Sequence, residues 1–229
     1  MNRPPVRDGA ASAPVTLDRR DGPHGEVVLR RRGEHLEIIA NGCFLMDTAD
    51  GRSERLLVQA ALDLLAAPRP SVLIGGLGVG FSLAYAAAEP RWGAIAVAER
   101  EEAVIDWHRT GPLGAISAGA LADPRVTVLH TDLVAHLAGP GPAYDALCLD
   151  IDNGPDWTVD EANDGLYGPA GLAAARRRLN SGGVLAVWSA KPSAAFEQAL
   201  REAGFEDVHT LEIAVARGVP DVVHLARRA

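Results

Sequence analysis

Cysteine is nearly absent from this chain. Its two residues, Cys43 and Cys148, lie far apart in 229 positions, which excludes a disulfide framework and a cysteine-based metal site. Cys148 sits inside an apolar run and reads as a small core residue. The seven histidines show no paired ligand spacing, so no metal is expected. Basic charge is also short: 22 Lys and Arg stand against 30 Asp and Glu, a net charge of −8. Phosphate backbones are bound by clustered cations, so a nucleic-acid partner is not expected. The runs Arg30-Arg31-Arg32 and Arg176-Arg177-Arg178 read as solvated faces of a strand and a helix. No apolar run approaches the roughly 18 residues of a membrane helix, and the N-terminus carries no signal-peptide h-region. The expectation is a cytoplasmic protein with no membrane partner.

What is present is an ordinary globular composition, 48% hydrophobic and 23% charged, in a chain long enough for one α/β domain with a modest appendage. Its organising stretch is Ser71-Val72-Leu73-Ile74-Gly75-Gly76-Leu77-Gly78-Val79-Gly80-Phe81-Ser82-Leu83. A strand runs into a glycine cluster, and the cluster runs into a helix. Without a Cβ, glycine takes positive φ and lets a ligand approach backbone N–H groups, and the helix N-terminus favours an anionic or polar group there. The spacing Gly76-x-Gly78-x-Gly80 is shorter than the dinucleotide fingerprint.

Three further strands end in polar residues. Ala94–Ala98 ends at Glu99, about 20 residues after the glycines, where an open α/β sheet places an acid on a ribose diol. Val126–Leu129 ends near Asp132, and Ala146–Leu149 ends in Asp150-Ile151-Asp152-Asn153-Gly154-Pro155. Ligands bind at that edge of such sheets.

In chain order, residues 1–13 read as a disordered tail. Residues 14–50 form a small β domain, with strand-like runs Glu26–Arg30, His35–Ala40 and Cys43–Met46; Asn41-Gly42 between the last two is a hairpin signal. Residues 51–229 form the main domain. A helix over Ser53–Leu65 comes first, then alternating strands and helices, including a crossover helix Tyr167–Leu179 closed by Asn180-Ser181-Gly182-Gly183. A strand Val184–Trp188, a helix Ala194–Ala203 and two strands, Phe205–Ala216 and Val222–Ala226, complete the chain. The fold class is α/β: a Rossmann-like, methyltransferase-type, mostly parallel seven-stranded sheet with helices on both faces, preceded by a small antiparallel β meander.

The chain resembles the polyamine aminopropyltransferase (spermidine synthase) family over nearly its whole length. The resemblance rests on the β meander, on Leu166-Tyr167-Gly168-Pro169 and on Leu179-Asn-Ser-Gly-Gly-Val-Leu-Ala-Val187. It implies a homodimer or larger assembly that transfers an aminopropyl group from decarboxylated S-adenosylmethionine to an amine and releases methylthioadenosine. By position, Gly76, Gly78 and Gly80 would line the methionine-derived part of the donor, Glu99 would hold the ribose hydroxyls, Asp132 the adenine amino group, and Asp150 would face the attacking amine. Three departures stand out. Leu77-Gly78-Val79 lacks the Asp that binds the donor's amine, Tyr-His-Glu appears as Ser53-Glu54-Arg55, and Asp-x-x-Asp-Pro becomes Asp150-Ile151-Asp152-Asn153-Gly154-Pro155.

A sulfonium donor reacts by in-line attack on a carbon beside S⁺, which requires a positioned, unprotonated nucleophile and hence a carboxylate base. Asp150 is the first choice and Asp152, two residues on, the second. Asn153, Trp157, Tyr167 and Trp188 are the expected substrate-pocket residues, with core packing as the plainer role for each aromatic. Asp132 is equally a helix cap. Three functions stay open: aminopropyl transfer to a small amine or amino acid; methyl or aminocarboxypropyl chemistry, transfer or cyclisation, with intact S-adenosylmethionine; and a non-catalytic role in nucleoside binding or as an assembly partner.

Overall fold

The computed structural model describes residues 13–151, 153–158, 163–213 and 219–229. It divides into two compact units, one ending at Ala49 and one running from Asp50 to Ala229.

The first unit is a four-stranded antiparallel meander in the order β1 (Val15–Gly22), β2 (Gly25–Arg32), β3 (His35–Ala40), β4 (Cys43–Asp47). Asn41 and Gly42, with φ of 50° and 78°, make the β3–β4 turn, as positive φ at both central positions of a tight hairpin requires. The Asn41 side chain also accepts from Glu26 N at 2.9 Å and donates to His24 O at 3.0 Å, tying two turns together. Strand β1 is absent from the sequence-read runs because Asp18, Arg19, Arg20 and Asp21 mask its alternation. Across β2 and β3, Glu37 is gripped by Arg30 and by Arg32 Nε at 2.8 Å. Burial would raise its carboxyl, but the two guanidinium groups outweigh this and hold it below the usual range.

The second unit is built on a seven-stranded sheet. Its strands are β5 (Ser71–Gly75), β6 (Ala94–Glu99), β7 (Val126–His130), β8 (Tyr144–Leu149), β9 (Leu179–Ser189), β10 (Phe205–Ile213) and β11 (Asp221–Arg228). They lie in the order β10-β11-β9-β8-β5-β6-β7. Strands β5 to β9 pair in parallel, and β11 is antiparallel to both β9 and β10. Parallel strands covered on both faces read as continuous apolar runs, and Val72, Leu73, Ile74, Ala146, Leu147 and Cys148 are accordingly buried.

Helix α1 (Arg52–Asp63) covers one face, where Leu57 O lies 3.9 Å from Cys148 Sγ. α2 (Phe81–Ala88) follows β5, and α3 (Glu102–Arg109) follows β6. On the other face, Leu147 and Leu149 join a cluster with residues of α4 (Leu133–Ala138), α6 (Pro169–Arg177) and α7 (Ala194–Glu202). Alternating side chains of β8 therefore feed opposite layers.

The crossover segment differs from the expected single helix. It is two, α5 (Asp164–Tyr167) and α6, broken at Gly168, whose backbone is extended because Pro169 follows it. Asn180–Gly183 lies within β9 rather than closing the helix. Arg178 is 4% exposed, not solvated. Its guanidinium lies 5.8 Å from the Tyr144 ring centroid and donates to His136 Nε2 at 2.8 Å.

Candidate functional site

The sheet order reverses between β5 and β8. Strand β5 leads to β6 on one side, whereas β8 and β9 lie on the other, so the switch point falls at the C-terminal ends of β5 and β8. Such switch points are where open α/β sheets bind ligands. The glycine turn follows β5, and Asp150 follows β8. The two ends are stitched together, since Asp150 N donates to Gly75 O at 3.1 Å.

Gly76, Gly78 and Gly80 all have positive φ, of 89°, 48° and 99°. At two of them space also demands glycine. A Cβ on residue 76 would stand 2.7 Å from Asp150 O, and one on residue 80 would stand 2.6 Å from His108 Cε1. The turn is held from three directions: Gly76 N donates to Ala98 O at 2.9 Å, Leu77 N to Glu99 Oε2 at 3.0 Å, and His108 Nε2 lies 2.9 Å from Gly78 O.

Glu99 closes β6 and is 8% exposed. Its second oxygen accepts from Glu101 N at 2.8 Å. Burial raises its pKa, while backbone N–H groups of Glu101, Leu77 and Gly78 oppose the rise. Glu99 is thus built into the turn and lies against the glycines. Asp132 caps α4, accepting from Ala135 N at 2.8 Å, which shows the capping role; nothing in the geometry adds a ligand to it.

Asp150 is half-buried. Its carboxyl is pushed up to about 8, first by burial and then by the negative charges of Glu54 and Asp221. Glu54 stands in the first turn of α1, 9% exposed, with Ser53 Oγ donating to its Oε2 at 3.1 Å. Burial raises its pKa too, as do Asp50 and Asp221, against hydrogen bonds from its own backbone and Ser53. Asp221 opens β11 and is raised by burial and by Asp50, partly offset by Arg52. Asp50 itself is lowered, chiefly by its hydrogen bond from Arg52. Three carboxyls with raised pKa values, Asp150, Glu54 and Asp221, thus stand near one sheet edge, with Glu54 and Asp221 both raising Asp150.

The remaining sequence-read positions scatter. Asp152 lies outside the described residues. Asn153 accepts from Ala190 N at 3.1 Å through its backbone carbonyl. Trp157 is 60% exposed. Tyr167 is in the core, edge-on to Phe196 with centroids 5.8 Å apart. Trp188 is half-buried next to the end of β9, and its buried indole N–H has no hydrogen-bond partner among the described residues. Among those residues no group of three or more His, Cys, Asp or Glu is placed to hold a metal ion.

Sequence reasoning gave little weight to Glu54 and passed over Asp221 and His108. Asp221 carried a usable signal: an antiparallel strand begins where its parallel neighbours end, so its first residue belongs to the ligand edge.

This is a mixed α/β arrangement with the methyltransferase-type sheet and an antiparallel N-terminal meander. Solved structures share it, two spermidine synthases among them. A spermidine synthase from Thermotoga maritima superposes with a TM-score of 0.75 at 13% identity, over 94% of this chain and 73% of that one. A spermidine synthase in complex with the transition state analogue AdoDATO gives a TM-score of 0.78 at 13% identity, over 94% and 74%. The shared property is the fold, including the N-terminal meander. No family model matches the chain, and no curated protein matches it.

Proposed function

We propose that the chain is a spermidine synthase-like transferase that uses a sulfonium nucleoside, decarboxylated S-adenosylmethionine in the first instance, to alkylate a small amine. The observation that carries this reading is the placement of Asp150, beside Glu54 and Asp221, at the switch point next to the glycine turn. Crowded carboxylates repel one another and resist ionisation. A cationic amine and a sulfonium relieve that repulsion, so the cluster favours positively charged ligands.

The chemistry follows. The bound ammonium gives a proton to Asp150, whose raised pKa makes it a competent acceptor near neutral pH. The freed nitrogen lone pair attacks the carbon beside S⁺ in line; the C–N bond forms as the C–S bond breaks, and the sulfur leaves as the neutral thioether of methylthioadenosine. Glu54 and Asp221 hold the remaining positive charge of the acceptor. Glu99, fixed on the turn, would be the acid presented to the ribose of such a donor.

One observation favours a second reading. Leu77-Gly78-Val79 carries no side-chain charge of its own, so a donor that keeps its carboxylate meets no acidic side chain from residues 77–79. Intact S-adenosylmethionine, with methyl or aminocarboxypropyl transfer, fits that feature.

The test is a thermal-shift comparison of decarboxylated S-adenosylmethionine, intact S-adenosylmethionine and methylthioadenosine at equal concentration, followed by product analysis with a panel of amines. A ligand at a hundred times its dissociation constant adds about 2.7 kcal/mol of stability. Preference for the decarboxylated donor, with methylthioadenosine released on adding an amine, supports the reading. Preference for the intact donor transfers support to the second, and binding without turnover means a nucleoside-binding protein.

A further inference from the structure

His108 is in the last turn of α3 and only 4% exposed. A backbone carbonyl accepts only, so the 2.9 Å contact to Gly78 O makes Nε2 the donor and fixes the tautomer. The ring lies against Gly80 and close to Ser117, where the contact distances from a Cβ on residue 80 would be 2.6 Å and 3.1 Å. Burial holds the imidazole below its usual pKa, opposed by the hydrogen bond to Gly78 O, and the other ring nitrogen, Nδ1, is buried with no hydrogen-bond partner among the described residues. It sits on the buried face of α3 with Val104, Ile105 and Trp107. Yet its polar atom is spent on the middle glycine of the turn. A buried carbonyl lacking a donor is costly, and here the donor comes from a different βα unit.

We propose that His108 is a positioning residue for the nucleoside donor: by donating to Gly78 O and packing on Gly80, it fixes the turn in its ligand-ready shape. This rests on the donor reading above. Gly76 N and Leu77 N are tied to β6, through Ala98 O and Glu99. His108 supplies the hold on the C-terminal half of the turn. Preorganisation of this kind raises affinity because the turn need not be ordered at the moment of binding.

The test compares the full-length wild type with H108F, which keeps a ring of similar shape and loses the donor, and H108Q, whose amide restores one. Methylthioadenosine affinity is read by calorimetry, amide exchange of residues 76–80 by mass spectrometry, and steady-state kinetics with decarboxylated S-adenosylmethionine as donor. H108F is expected to weaken methylthioadenosine about three- to tenfold, the worth of one ordinary hydrogen bond, to speed exchange in the turn, and to raise donor KM more than it lowers kcat. H108Q is expected to recover all three. Should H108F fail to fold, H108M, similar in length to Gln but lacking a donor, replaces it. Wild-type affinity and exchange in the donor-less variant overturn the proposal, as does an H108Q as impaired as H108F. A wild type that binds no sulfonium nucleoside overturns the donor reading and this proposal together, and is told apart by that wild-type control.

Discussion

Gly76 and Asp150 touch across the switch point: a Cβ on residue 76 would stand 2.7 Å from the Asp150 carbonyl oxygen. The end of β5 and the end of β8 thus share one small volume, so the glycine turn packs directly on the backbone that carries the proposed base. Gly76→Ala meets two penalties, the contact and a φ of 89°. We expect it to cost about 1–3 kcal/mol, which lowers Tm by about 2–4 °C per kcal/mol in a chain of this size. Thermal melts check the stability loss, and calorimetry with methylthioadenosine checks the expected loss of binding.

Asp150→Asn separates binding from turnover. If Asp150 is the base, its loss lowers kcat by about 10²- to 10⁴-fold, whereas the proposed nucleoside contacts on the β5 and β6 side are untouched. Turnover within a few-fold of wild type would move the base elsewhere.

The same variant has a signature in stability. The Asp150 carboxyl is pushed up to about 8 in the folded chain from an ordinary 3.8. Between those values the folded state holds a proton that the unfolded chain releases, so this group's contribution makes stability fall as pH rises through the window and level off above it. Asp150→Asn removes that dependence. Its Tm should match the wild type near pH 4 and exceed it by several degrees at pH 8; equal melts at both pH values would show that the carboxyl is not raised.

Glu54 and Asp221 act on Asp150 through charge. Glu54→Gln or Asp221→Asn removes a repelling anion, so the acidic limb of the pH profile of kcat/KM should move to lower pH. Amine KM should rise because a cation-holding group is gone. A double variant shifting no further than either single one would show that one of them is too remote to matter.

Asp132 answers a narrower question. Its side chain accepts from Ala135 N, so Asp132→Ala should cost about 1 kcal/mol, and Asp132→Asn, an equally good cap, far less. A drop in methylthioadenosine affinity in the stable Asn variant is the signature of a second role toward the nucleoside.

The elements that local chemistry governs were legible in the sequence. Asn41-Gly42 makes its hairpin because both positions accept positive φ. The apolar runs around Leu73, Val97 and Leu147 are the buried parallel strands, and the glycines end β5 because only they tolerate that backbone. From these the α/β class and the antiparallel pair at the sheet edge followed, as did the placement of Glu99 and Asp150 at the C-terminal ends of two parallel strands. Charge hid β1, and Pro169 broke a helix that apolar spacing alone ran through. What only the tertiary structure decided is which distant residues meet. Glu54 on α1, Asp221 on β11 and Asp150 after β8 converge because the sheet order sets those elements side by side, and His108 reaches Gly78 because α3 lies beside the turn after β5. Propensity and periodicity act over a few residues along the chain, whereas repulsion between carboxylates and a buried donor's choice of carbonyl act through space, where sequence separation has no bearing.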